Sequence, residues 1–157
     1  MWHKGMMCTL AGLLLWASVG YAVELTSEQQ AAKEKGVALY NQYRVSNSYL
    51  RIAAKAGDAE AQFFLGEELR QLNHFMTPEA QQWLEAAANQ GYVYAMIRLV
   101  RSGANLCAVA GNCPQGSKTP GEWWQQAHDL ALSLTEQGDP EAMFQMYKIT
   151  GDTDWLV

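Results

Sequence analysis

Positive charge is scarce in this chain. It carries 11 Lys and Arg against 16 Asp and Glu, a formal net charge of −5. Gripping a phosphate backbone takes a basic patch, and none stands out, so a nucleic-acid-binding role is excluded. Long apolar runs are also missing. The longest reaches about 11 residues at the N-terminus, well short of the roughly 20 that cross a bilayer. Charged residues make up only 17% of the whole, but 49% is hydrophobic, so a disordered acidic tail is excluded and a core is affordable. Histidine is rare, at three residues, and cysteine equally so. No alternating apolar–polar stretch of strand length is found.

The N-terminus reads as a secretory signal peptide. Lys4 supplies a positive start, Met6 to Trp16 is uncharged and leucine-rich, and small residues follow. Gly20 and Ala22 suit the −3 and −1 pockets of a signal peptidase, so cleavage is expected after Ala22. Removing 22 of the 157 residues leaves 135, drops Lys4 and takes the charge from −5 to −6. It also removes Cys8, leaving Cys107 and Cys113 as an even pair. The expected destination is the bacterial periplasm, where such a pair oxidises. Five residues including Gly111 separate the two, enough for a small disulfide loop. A metal site would need two further ligands, and none is near in sequence.

The chain also repeats itself. Ala53-Ala54-Lys55-Ala56-Gly57-Asp58-Ala59-Glu60-Ala61 returns as Ala87-Ala88-Asn89-Gln90-Gly91-Tyr92-Val93-Tyr94-Ala95. A third copy runs Leu134-Thr135-Glu136-Gln137-Gly138-Asp139-Pro140-Glu141-Ala142. A large apolar residue stands eight positions before each glycine: Tyr49, Trp83 and Leu130. Such self-similarity marks stacked supersecondary units. Each unit reads as two helices. Ala61, Leu65, Leu69 and Leu72 fall on one helical face, as do Ala80, Trp83, Leu84, Ala87 and Ala88. Thr77-Pro78, Thr119-Pro120 and Asp139-Pro140 are helix starts, and Glu122 completes a capping box. Gly57, Gly91 and Gly138 sit where a left-handed residue ends a helix. Thr26 to Tyr43 reads as an additional N-terminal helix, with Thr26 and Gln29 as its capping box. Residues 23–47 are therefore expected to form a helical cap and 48–157 the repeats. Asp154-Trp155-Leu156-Val157 resembles the opening of one more copy, so the sequence is expected to stop inside a repeat.

These residues resemble the Sel-one-like repeats, relatives of the tetratricopeptide repeat. The family's A-x-x-x-L-G stands here as Ala61-Gln62-Phe63-Phe64-Leu65-Gly66. Its W-x-x-x-A-A-x-x-G stands as Trp83-Leu84-Glu85-Ala86-Ala87-Ala88-Asn89-Gln90-Gly91. Later copies depart from the pattern. Val100 replaces the motif glycine, Met146-Tyr147 replace Leu-Gly, and Leu134-Thr135 replace the alanine pair. The resemblance implies an all-α fold, an α-solenoid of antiparallel helix pairs that binds a protein and is not an enzyme. It implies no cofactor. Exported members include immunity proteins that neutralise type VI secretion phospholipase effectors, and regulators of envelope signalling. The partner implied is thus a secreted effector or toxin, or an envelope protein, and the alternative role is a regulatory adaptor.

Other features are read by their simplest chemistry. His74 and His128 have no nucleophile elbow, zinc motif or phosphate loop beside them, so no catalytic residue is assigned. Glu67-Glu68 and Asp139/Glu141 are expected on solvated faces and at helix starts. Tyr92/Tyr94 and Trp123-Trp124 are the candidate partner contacts. Neighbouring helix residues point about 100° apart, so the two tryptophans are not expected to be equally buried; core packing is the first reading of these aromatics, and a partner contact by one of them is the alternative.

Overall fold

The computed structural model describes residues 23–104 and 106–156. The expected signal peptide, residues 1–22 with Cys8 and the Ala22 cleavage site, lies outside the described residues, as does Val157. The described residues are helical and contain no strand. The helices are α1 (Ser27–Asn41), α2 (Asn47–Lys55), α3 (Ala59–Asn73), α4 (Pro78–Asn89), α5 (Val93–Val100), α6 (Leu106–Ala110), α7 (Pro120–Glu136) and α8 (Pro140–Thr150). Short 3-10 turns cover Arg101–Ala104 and Thr153–Leu156. No helix among them is long and apolar enough to cross a membrane.

Local chemistry sets the helix starts. Thr26, Asp58, Thr77, Thr119 and Asp139 each accept a bond from a first-turn N–H. Pro78, Pro120 and Pro140 occupy the first helical position, where no N–H is needed. The ends of α2, α4 and α7 share one geometry. Gly57, Gly91 and Gly138 have φ of 101°, 90° and 81°. The residue after each glycine donates to the carbonyl five back: Asp58 to Ala53, Tyr92 to Ala87, and Asp139 to Leu134. This pattern satisfies the orphan carbonyls and sends the next helix back along the last.

The repeat positions are buried in equivalent register. Ala61 and Leu65 on α3, Ala95 and Leu99 on α5, and Ala142 and Met146 on α8 are all closed to solvent. On the partner helices Leu50, Ala53 and Ala54 match Leu84, Ala87 and Ala88, again closed. Each fully buried leucine contributes about 1.5–3 kcal/mol of apolar transfer. The two helices of a pair approach through glycine. A Cβ on Gly66 would lie 2.7 Å from Leu84 Cγ and 3.1 Å from the Ala80 carbonyl. Gly36 meets Leu50 in the same way, at 2.7 Å from its Cδ2. Segment 23–47 therefore packs on α2 much as α3 packs on α4, and α2 begins at Asn47.

Two side-chain contacts show the direction of the first helices. Phe63 meets Tyr94, and four residues further along both helices Glu67 meets Arg98. So α3 and α5 run parallel. Tyr94 bonds Glu141 and Arg101 bonds the Lys148 carbonyl, seven residues on in both cases, so α8 follows α5 in parallel too. Lys33 pairs with Asp58 and Glu60, and Tyr40 packs on Phe64, which aligns α1 with them. By contrast Gly66 faces Ala80 and Leu84 while Gln62 meets Gln90, so α3 and α4 are antiparallel. Helices α1, α3, α5 and α8 thus run in one sense, and α2 packs between α1 and α3, α4 between α3 and α5, and α7 between α5 and α8.

Candidate protein-binding surface

The layer of parallel helices carries a continuous aromatic row. Tyr40 on α1 touches Phe64 on α3 at 5.0 Å between ring centroids. Phe64 touches Phe63 at 5.3 Å, and Phe63 touches Tyr92 at 5.1 Å. Tyr92 and Tyr94 lie 6.2 Å apart at the start of α5. The Tyr94 hydroxyl then donates to Glu141 on α8. All five rings are half-buried. The rings thus span three helices, and the row closes on a carboxylate of a fourth, α8. Burial, joined by the charges of Glu60, Asp58 and Glu141, pushes the Tyr92 phenol well above its ordinary range. Burial and the Glu141 contact do the same to Tyr94. Both hydroxyls are therefore neutral donors at any physiological pH. Acidic groups cluster at this end, because Asp58 and Asp139 cap α3 and α8 and Glu60 and Glu141 stand in their first turns.

The two tryptophans separate. Trp123 is 1% exposed and belongs to the core, with the Lys118 ammonium 4.2 Å from its ring centre. Trp124 is 39% exposed and stacks on His128 at 5.1 Å. His128 in turn faces Asp129 at 3.3 Å, an exposed contact on one turn of α7. Trp83 is half-buried against the Leu50 cluster. Ala61, Leu65, Gly66, Ala87 and Ala88 are all interior.

Two expectations are overturned. Glu67 and Glu68 are not solvated: they are 2% and 5% exposed. Glu68 accepts from the Ser46 N–H at 2.6 Å and from the Ser46 hydroxyl at 2.8 Å, so it caps α2 from the neighbouring helix. Glu67 accepts twice from Arg70 and has Arg98 Nε at 2.7 Å, although that N–H is not aligned to bond it. Their partners lie on other elements or three positions on, which offsets the cost of burying charge. Leu72, the fourth member of the α3 stripe, is 52% exposed instead of interior. It borders the loop between α1 and α2, beside Tyr43 and Val45.

Cys107 and Cys113 are joined by a disulfide, with Cα atoms 4.7 Å apart. It staples the 19-residue connection between α5 and α7, where the α1–α2 and α3–α4 connections need five and four residues. The stapled segment lies over α4: the Ser117 N–H donates to Glu85 at 2.8 Å. A cavity of about 340 Å³ remains beneath it, lined by Gln81, Leu99, Cys113, Lys118, Glu122 and Trp123 among others. Among the described residues no three His, Cys, Asp or Glu side chains gather as a metal-binding group. Searches of protein-family models, curated proteins and solved structures found no match to the chain.

Proposed function

We propose that this chain is a periplasmic protein-binding solenoid of Sel-one-like repeats. Its most fitting role is that of an immunity protein for a type VI secretion phospholipase-type effector. Inhibition is steric: the aromatic layer covers the toxin's substrate entrance, and no bond is made or broken. The observation that carries the reading is the aromatic row from Tyr40 to Tyr94 across three parallel helices, α1, α3 and α5. A small-molecule site is a concave pocket, whereas this is an extended open surface with half-buried rings, the composition of an interface core. The acids Asp58, Glu60, Asp139 and Glu141 at its end steer a basic partner, so the on-rate falls with salt.

The test is inhibition of any phospholipase-type effector encoded beside this gene, with residues 23–157 exported and purified. Loss of hydrolysis in proportion to added protein supports the role. Binding to an envelope sensor without any effect on a phospholipase moves the protein to the adaptor class.

A further inference from the structure

The segment from Cys113 to Thr119 roofs a cavity that none of the five rings of the aromatic row lines. Three attachments fix the roof in place. Cys113 is bonded to Cys107, which is 2% exposed and belongs to the core. The Ser117 N–H donates to Glu85 at 2.8 Å, and the Gln81 amide donates to the same oxygen at 2.6 Å. Thr119 exchanges bonds with Glu122 as the capping box of α7. Gly116 permits the close approach to α4: a Cβ there would lie 2.9 Å from the Gln81 amide nitrogen and 2.9 Å from the Glu85 carboxylate. The cavity, about 340 Å³, has the volume of a small-molecule site.

Three polar groups at this cavity are left unmatched. Trp123 lines it and is 1% exposed, yet its indole N–H has no hydrogen-bond partner. A buried donor without an acceptor is costly, and it marks a place where a bound atom belongs. Lys118 and Glu122 line the same cavity, but neither forms an ion pair with the other or with any described residue. The Lys118 ammonium stands 4.2 Å from the Trp123 ring centre and gives one N–H to Gln126 at 2.6 Å, leaving its other donors free. Glu122 uses one oxygen, Oε2, on the Thr119 N–H and hydroxyl, and its Oε1 stays unbonded. The bonds from Thr119 hold that carboxyl below the usual carboxylate range, so it is ionised at neutral pH. The other acids nearby are occupied: Glu85 by Ser117 and Gln81, and Asp129 by Gln125 and His128. Leu99, Pro114 and Pro120 give the cavity apolar walls.

We infer that this cavity binds a dipeptide with free termini and small apolar side chains. Its ammonium pairs with Glu122, its carboxylate pairs with Lys118, and its peptide carbonyl accepts from the Trp123 indole N–H. All three unmatched groups are then used, and the side chains meet Leu99, Pro114 and Pro120. The site requires both charges on one ligand. A simple anion is repelled by Glu122, and a simple cation by Lys118. A dipeptide with both termini free is neutral overall, so the net charge of −5 does not oppose it. A free amino acid carries both charges but has no peptide carbonyl for the indole. The site draws on α4, α5, α7 and the stapled segment and on no ring of the aromatic row, so the inference does not rest on the immunity role.

Calorimetry and nitrogen–proton correlation spectra of the exported, purified chain test it, with L-alanyl-L-alanine as the probe. The dipeptide is expected to bind. N-acetyl-L-alanyl-L-alanine, L-alanyl-L-alanine amide and free L-alanine lack in turn the ammonium, the carboxylate and the peptide carbonyl. Each is expected to bind at least tenfold more weakly, as loss of one buried polar contact entails. Glu122→Gln keeps a residue that completes the capping box, and Lys118→Gln keeps a donor toward Gln126. Both are expected to fold, by circular dichroism, and to bind the dipeptide at least tenfold more weakly. A readout on the unaltered chain stands beside the variants: the Trp123 indole N–H resonance is expected to move downfield as dipeptide is added. No binding at millimolar dipeptide, equal binding of the blocked forms or of free alanine, or full affinity in both variants overturns the proposal. So does an indole resonance that ignores the dipeptide, which would leave water as the occupant. None of these outcomes touches the immunity role, which is scored by inhibition of an effector alone.

Discussion

Replacing Gly66 by alanine tests the helix pairing directly. In an isolated helix the change stabilises, because alanine exceeds glycine by about 1 kcal/mol in helix propensity. Here the added methyl meets Leu84 Cγ at 2.7 Å, Leu84 Cδ2 at 3.1 Å and the Ala80 carbonyl at 3.1 Å. Leu84 is closed to solvent and Ala80 presents backbone, so neither yields without moving α4. Overpacking of this kind costs roughly 1–3 kcal/mol, and the larger part of that range suits a contact against backbone. Net of the propensity gain, Gly66→Ala is expected to destabilise by about 1–2 kcal/mol, a drop in midpoint of roughly 4–8 °C for a chain of this size. Gly121 on α7 is the internal control. A Cβ there meets nothing within 4 Å, so Gly121→Ala is expected to stabilise slightly. Urea and thermal unfolding followed by circular dichroism measure both. If Gly66→Ala stabilises as Gly121→Ala does, the close approach of α3 and α4 is refuted.

Two other consequences concern buried polar groups. Glu68→Ala strands the Ser46 N–H, which is closed to solvent, and is expected to cost about 2–3 kcal/mol in urea unfolding. Glu68→Gln still accepts from the N–H while the Ser46 hydroxyl turns to accept from its amide, so its loss is about 1 kcal/mol. Equal losses for the two variants would contradict the capping role. The raised phenols make stability depend on alkaline pH. A phenol whose folded pKa lies above the ordinary 10.0 contributes stability that is fully present below pH 10 and is lost as pH rises beyond it. Unfolding free energy is therefore expected to fall above pH 10, and to fall less steeply in Tyr94→Phe, as read by urea midpoints across pH 8 to about 12. A slope indifferent to that variant would contradict the Tyr94–Glu141 contact.

What was legible in the sequence was local. Thr77-Pro78 and Asp139-Pro140 announce helix starts, because a cap and a missing N–H act within one turn. The glycines after α2, α4 and α7 announce reversals, because only glycine takes a left-handed position without cost. The Cys107–Cys113 spacing permits the bridge that the structure contains. What was hidden was long-range. Glu67 and Glu68 read as solvent-facing because their partners, Arg98 and Ser46, stand 31 and 22 positions away. The aromatic row showed only as the pair Tyr92 and Tyr94, since Tyr40, Phe63 and Phe64 reach it by the parallel alignment of separate helices. Gly36 carried a readable signal, standing ahead of Tyr49-Leu50 as Gly66 stands ahead of Trp83-Leu84. Tyr43 carried none, because tyrosine does not favour the left-handed region it occupies.

The measurement closest to the central claim is a titration of any phospholipase-type effector encoded beside this gene with the exported, purified chain, read by release of fatty acid from a phospholipid substrate. The account expects activity to fall linearly and end at equimolar protein, with Tyr94→Ala and Phe63→Ala shifting the endpoint to excess. Undiminished hydrolysis in the presence of a large excess of folded protein would contradict it.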